Sequence, residues 1–126
     1  MKYEQFETHC HTAEVSRCGV LRADEVVDGI KAAGYAGTCI TDHYNARFFE
    51  QPGLLGLGWK EKIARYLAGY HKAQKRGQEV GLTVLLGLEV QIENSPYEFL
   101  VYGPDEKFLE DAGQLYKLPM PDFYKL

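Results

Sequence analysis

Apolar and polar residues alternate through the middle of the chain. In "TVLLGLEVQIEN", Val84, Leu86, Leu88, Val90 and Ile92 fall on one face of an extended segment, and Leu85, Gly87, Glu89, Gln91 and Glu93 on the other. The first face is uniformly apolar; the second turns polar and acidic towards its C-terminal end. This predicts a strand over 82–92, and "YEFLVYG" (97–103) predicts another after the turn-forming "ENSP". Upstream, "ADEVVDGIKAAG" (23–34) has helical period, with Val26, Val27, Ile30 and Ala33 on one side. Asp24 and Glu25 sit in its first turn, where they oppose the positive end of the helix dipole, and Gly34 is placed to end it. Trp59, Ile63, Leu67 and Tyr70 predict one amphipathic helix over about residues 59–78. "YAGTCITDH" (35–43) reads as a strand running into His43, and residues 3–10 as a short strand delivering "HCHT" at its end. A polar loop, "AEVSRCG", and a Gly-rich loop, "QPGLLGLG", link these elements, and "DEKFLEDAG" (105–113) predicts a short helix.

The resulting order, β-α-β-α-β-β-α, favours an α/β fold with a largely parallel sheet. The 126 residues suffice for one domain with a core, covering 1–126, and contain no internal repeat. The tail "LPMPDFYKL" places Phe123 and Leu126 at helical spacing after Pro121. One turn of helix cannot stabilise itself in water, so these side chains need partners. A domain incomplete at its C-terminus, or completed by another copy as a homo-oligomer, is expected.

Composition narrows the function classes. A formal net charge of -4 with no basic block argues against a nucleic-acid partner. No segment approaches the roughly 20 apolar residues that span a bilayer. "MKYEQFETHCHT" lacks an apolar signal core, so the cytoplasm is the expected location. Cys10, Cys18 and Cys39 show no framework spacing and read as reduced thiols.

The chemistry lies at strand ends. The strand period of two points His9 and His11 to one face, able to converge on one metal, and Cys10 to the other. His43 follows His11 by about one β-loop-α repeat, which puts both at the same end of neighbouring parallel strands. Asp42 beside it is a candidate ligand or a partner that orients one. Glu89 is a carboxylate inside an apolar strand, costly unless it is paired or coordinates a cation. Three strands thus carry a histidine or carboxylate at the end where α/β proteins bind ligands. His71, on a helix beside lysines, reads as a solvated residue.

Taken together, "THCHT", "ITDH" and "LLGLEV" resemble the first three motifs of the PHP (polymerase and histidinol phosphatase) domain, in order, over residues 3–103. The resemblance implies a distorted seven-stranded (β/α) TIM-like barrel, of which this chain would form the front half with about four strands. It also implies a metal-dependent phosphoesterase with two or three divalent ions such as zinc, manganese or iron. The implied ligands are His9, His11, His43 and Glu89, with Glu89 bridging. The family pattern supplies an Asp or His where "SRCG" has Cys18, and Glu14 in the same loop is the rival ligand. A thiolate suits zinc and is a poor ligand for manganese or magnesium. The next strand offers Leu100 and Tyr102 where a further histidine is common, and the later motifs are absent. The expected substrate is a small phosphorylated molecule, with Arg17 contacting phosphate and Arg22 and Arg47 behind it. Two alternatives stand beside this reading: a degenerate metal-binding module with a structural or interaction role, and an amidohydrolase-like C–N hydrolase. Amidohydrolases also carry a strand-borne His-x-His, but the "TDH" and "GLE" spacing argues against that class.

Overall fold

A computed structural model describes residues 3–126. In chain order the strands are β1 (Phe6–Cys10), β2 (Gly37–Ile40), β3 (His43–Tyr44), β4 (Thr83–Gln91) and β5 (Glu98–Tyr102). The helices are α1 (Ala23–Ala32), α2 (Ala46–Phe49), α3 (Trp59–Tyr66), α4 (Ala68–Val80), α5 (Glu106–Ala112) and α6 (Met120–Phe123). β1, β2 and β4 lie parallel in that order, and β3 pairs in parallel with the end of β4 through His43↔Glu89. β5 turns back antiparallel to β4, with Glu89 opposite Leu100 and Gly87 opposite Tyr102. The sheet is an α/β half-barrel, curled and largely parallel as expected. No helix among the described residues is long and apolar enough to cross a membrane.

The alternation in β4 works as read. Its apolar face is covered by two clusters. Ala23, Val27, Ile40, Ala73 and Val84 join α1 and α4 to the sheet. Tyr44, Phe49, Ile63, Tyr66, Leu88 and Tyr116 form a larger, aromatic-rich core further along. Tyr44 is its hub, packed edge-on against Phe49, Tyr66 and Tyr116 at centroid distances of 4.7, 5.4 and 5.9 Å.

The structure corrects the expected elements in three places. The strand expected over 35–43 is interrupted at Thr41 and Asp42, because the Asp42 side chain turns inward to bind a loop. The helix expected over 59–78 is two helices that meet at Leu67. Just beyond that joint, Gly69 lies against Thr12 and Asp42, and α4 must approach from a new direction to bring its backbone there. α2 forms just before the Gly-rich loop, and the loop itself carries a 3₁₀ turn, Pro52–Leu54; the Asn45 side chain caps α2 by accepting from Phe48 N at 3.0 Å. At the tail, Phe123 and Tyr124 both meet Phe99 of β5, at centroid distances of 5.9 and 5.7 Å, with Tyr124 still largely exposed, whereas Leu126 is simply exposed.

The inner face of the sheet is less covered. Phe6, Leu85, Leu100 and Tyr102 are all exposed large side chains there. Phe6 lies over Gly37 and Tyr102 over Gly87, so the two glycines leave room for rings on a tightly curled surface.

Candidate metal centre

Glu89 is buried, at the point where three imidazoles converge. Its Oε1 lies 2.9 Å from His9 Nε2, and its Oε2 lies 2.9 Å from both His11 Nε2 and His43 Nδ1. The strand period delivers His9 and His11 to this side, while Cys10 packs into the cluster beneath the sheet. Parallel pairing of β3 with β4 sets His43 beside Glu89. On the far side of the same rings, Cys18 Sγ lies 3.2 Å from both His11 Nδ1 and His43 Nε2.

The donor set fits a cation. His43 Nδ1 is buried and has no hydrogen-bond partner, although Glu89 Oε2 is 2.9 Å away. Two donor atoms that converge without a well-directed hydrogen bond are arranged as ligands of a common ion. Three groups among the described residues bring ligand atoms within 4.8 Å of one another: His9, His11 and Glu89; His11, Cys18 and His43; and His43, Glu89 and Glu98.

Behind the cluster, a buried polar network holds the ligand loops. Asp42 Oδ1 accepts from Thr12 N at 2.6 Å and Ser16 Oγ at 2.8 Å, and Oδ2 accepts from Thr12 Oγ1 at 2.8 Å. Ser16 Oγ in turn accepts from His43 N at 3.0 Å, and the Tyr66 hydroxyl donates to the Asp42 carbonyl at 2.6 Å. Residues adjacent to His11 and His43 are thereby tied together. Burial raises the Asp42 carboxyl to about 6, against the pull of those hydrogen bonds towards the ionised form. Burial likewise pushes the Cys10 thiol up to about 11.

Each expected site residue has a definite place. His9, His11, Cys18, His43 and Glu89 come together in one cluster. Asp42 has its carboxylate engaged by Thr12 and Ser16 and belongs to none of the three ligand groups, so it acts in this geometry as a positioning residue. Between the rival loop residues, the geometry favours Cys18: the Glu14 carboxylate accepts from Ala23 N at 3.0 and 3.1 Å at the start of α1. A cavity of ≈ 580 Å³ opens beside Cys18 and His43 and is lined by Arg17 and Arg47. Arg22 lines a separate, mixed-charge cleft with Lys72 and Arg76, so it does not stand behind Arg17. His71 is half exposed and lies 3.5 Å from Glu106. Glu98 escaped the sequence reading. It lies opposite Gln91, two positions along the strand from Leu100 and so on the same face as Glu89.

The family model for the PHP domain matches residues 7–117. The chain belongs to the PHP domain family. As a PHP domain it resembles a "putative metal-dependent phosphoesterase" from Bifidobacterium adolescentis with 21% identity and a TM-score of 0.51, over 79% of this chain and 27% of that one. It also resembles an amidohydrolase from Chromobacterium violaceum, solved with bound sulfate and no metal, with 21% identity and a TM-score of 0.50, over 75% of this chain and 25% of that one. At this identity the likeness is one of fold. The chain spans about a quarter of the length of both solved structures. No curated protein matches it. This PHP domain therefore combines a partial barrel with His, Glu and Cys side chains grouped as candidate metal ligands.

Proposed function

We propose that this PHP domain is a metal-dependent phosphoesterase that hydrolyses a small phosphate ester at a di- or trinuclear site. The observation that carries the reading is the buried Glu89 carboxylate, 2.9 Å from each of three imidazoles, at the strand ends beside a cavity lined by two arginines. His9, His11, His43 and Glu89 would hold the ions, with Cys18 and Glu98 at the margins. Bound divalent ions would supply hydroxide near neutral pH and neutralise charge on the phosphoryl oxygens. Arg17 and Arg47 would orient the phosphate through their planar guanidinium forks. The cavity volume of ≈ 580 Å³ falls in the usual range for a small-molecule pocket and suits a compact substrate. Asp42, through Thr12 and Ser16, would keep the two ligand loops in register. Zinc, iron and manganese are the candidate ions, and the cytoplasm is the compartment in which three free thiols persist.

The test is elemental analysis of the purified protein together with turnover of p-nitrophenyl phosphate and a panel of sugar phosphates. Metal and turnover are expected in the wild type and loss of both in the His9→Ala, His43→Ala double variant. Protein that stays metal-free after titration with zinc, iron and manganese would overturn the reading. Metal without turnover would instead favour a structural or interaction module. That second reading draws support from Leu100 and Tyr102, which place no metal ligand on the site-facing side of β5 beyond Glu98. Turnover of amides alone would point to a C–N hydrolase.

A further inference from the structure

We infer that Tyr66, a core residue outside the ligand cluster, is a positioning residue that grips the chain on both sides of His43. The inference deepens the metal-centre reading above and rests on it. β3 is only two residues long, His43 and Tyr44, and Thr41 and Asp42 interrupt the strand before it. So short a strand has few ladder bonds with which to fix its place beside β4. The Asp42 carbonyl supplies one of them, accepting from Glu89 N at 3.1 Å. That bond ties the peptide preceding His43 to the backbone of the carboxylate that His43 faces. A carbonyl oxygen has a second lone pair, and the Tyr66 hydroxyl donates to this one at 2.6 Å. On the other side of His43, the Tyr66 ring packs edge-on against Tyr44 at a centroid distance of 5.4 Å. One side chain therefore holds residue 42 by a hydrogen bond and residue 44 by its ring.

The place of Tyr66 in the fold makes that grip firm. It is buried and ends α3, immediately before the joint at Leu67. Just past the joint, Gly69 brings the α4 backbone against Thr12 Oγ1 and Asp42 Oδ2. The join of α3 and α4 thus meets one residue twice, with a hydroxyl at the Asp42 carbonyl and bare backbone at its carboxylate. Asp42 is held at main chain and side chain alike, and His43 is the next residue. Groups that orient a metal-ligating histidine without touching the ion are typically worth roughly 10–100-fold in affinity. Tyr44 supplies the contrast. It is buried in the same aromatic core, but its hydroxyl donates to the Gly113 carbonyl at 3.0 Å and accepts from Leu115 N at 3.4 Å, in the segment after α5.

Cobalt(II), a spectroscopic stand-in for zinc, tests this on the full chain with Tyr66→Phe and Tyr44→Phe. Each variant removes one hydroxyl from the core and keeps its ring. Tyr66→Phe is expected to weaken cobalt by roughly 10–100-fold in competition with a chelator, and to shift the visible d–d absorption of the bound ion. Tyr44→Phe is expected to lower the melting temperature to a similar extent while cobalt affinity and spectrum stay as in the wild type. If Tyr66→Phe alone does not fold, the pair is compared in a Gly29→Ala background, where the added methyl meets nothing within 4 Å and favours the helix. Wild-type affinity and spectrum in Tyr66→Phe would overturn the inference and leave the metal centre standing. Equal weakening in Tyr44→Phe would do the same, since Tyr66 would then be an ordinary core residue. A wild type that binds no cobalt, zinc or manganese would overturn the metal-centre reading itself, and the inference with it.

Discussion

The Tyr102 hydroxyl donates to the Thr8 carbonyl at 2.7 Å, joining β5 to β1 across two intervening strands. Such a contact requires the sheet to curl until its outer strands approach over the inner face. It also sits next to His9, so the curvature that the hydrogen bond holds is part of what aims that ring at Glu89. Tyr102→Phe removes only the hydroxyl. We expect it to cost about 1 kcal/mol in urea denaturation, the usual net value of one such bond, with a small loss of metal affinity. An unchanged midpoint would show that core packing alone sets the curl.

Ser16→Ala should matter more than its size suggests. The hydroxyl donates to Asp42 and accepts from His43 N, and its loss leaves a backbone N–H beside a ligand without a partner. The expected cost is roughly 1–3 kcal/mol. A weakening of cobalt or zinc affinity by about 10–100-fold should accompany it, as for other groups that orient a ligand. Isothermal titration beside a denaturation curve separates the two effects.

Two glycines in helices should respond in opposite directions to alanine. Nothing lies within 4 Å of the position a Cβ would take at Gly29 in α1, so Gly29→Ala should gain about 0.5–1 kcal/mol from helix propensity. At Gly69 in α4 a methyl would occupy the place of the Thr12 hydroxyl and press on Asp42. Gly69→Ala should therefore lose about 1–3 kcal/mol despite the same propensity gain, by the cost of overpacking. Thermal melts of the two variants give the signs directly.

The three thiols should react in a fixed order. Cys18 is exposed, Cys39 is buried, and burial holds the Cys10 thiol up at about 11. Because the thiolate is the nucleophile, Cys10 stays protonated at pH 8. Iodoacetamide mapped by mass spectrometry should label Cys18 first, and pre-incubation with zinc should slow that labelling. Equal rates at Cys18 and Cys39 would contradict the burial pattern.

Self-association is the fifth expectation. Among the described residues β1 pairs only with β2 and β5 only with β4, so each presents a free edge there, and Phe6, Leu85 and Leu100 leave apolar surface on the inner face. Unpaired edges beside apolar surface favour pairing between chains. We propose that a second copy of the chain covers this face, giving a dimer or higher oligomer in light scattering. A well-folded monomer at micromolar concentration would count heavily against it.

How much of this was legible beforehand follows from the range of each signal. The alternation around Glu89, the pairing of His9 with His11 away from Cys10, and the helical faces of α1 and α3 are local. A period of two or 3.6 is written in adjacent residues, and the sequence by itself determined them. The repeat spacing that put His43 near His11 is almost as local, since consecutive parallel strands are joined by one helix.

Only the tertiary structure decided the rest. Glu14 and Cys18 share one loop, and the choice between them turned on where α1 begins, because the free Ala23 N–H draws in the Glu14 carboxylate. Glu98 entered the site through the antiparallel register of β4 and β5, which the turn between them sets and no periodicity encodes. The joint at Leu67 lies beside Gly69, whose missing side chain admits Thr12 from a distant part of the chain. Side-chain period is a property of the backbone repeat, whereas these three outcomes depend on which distant surfaces meet.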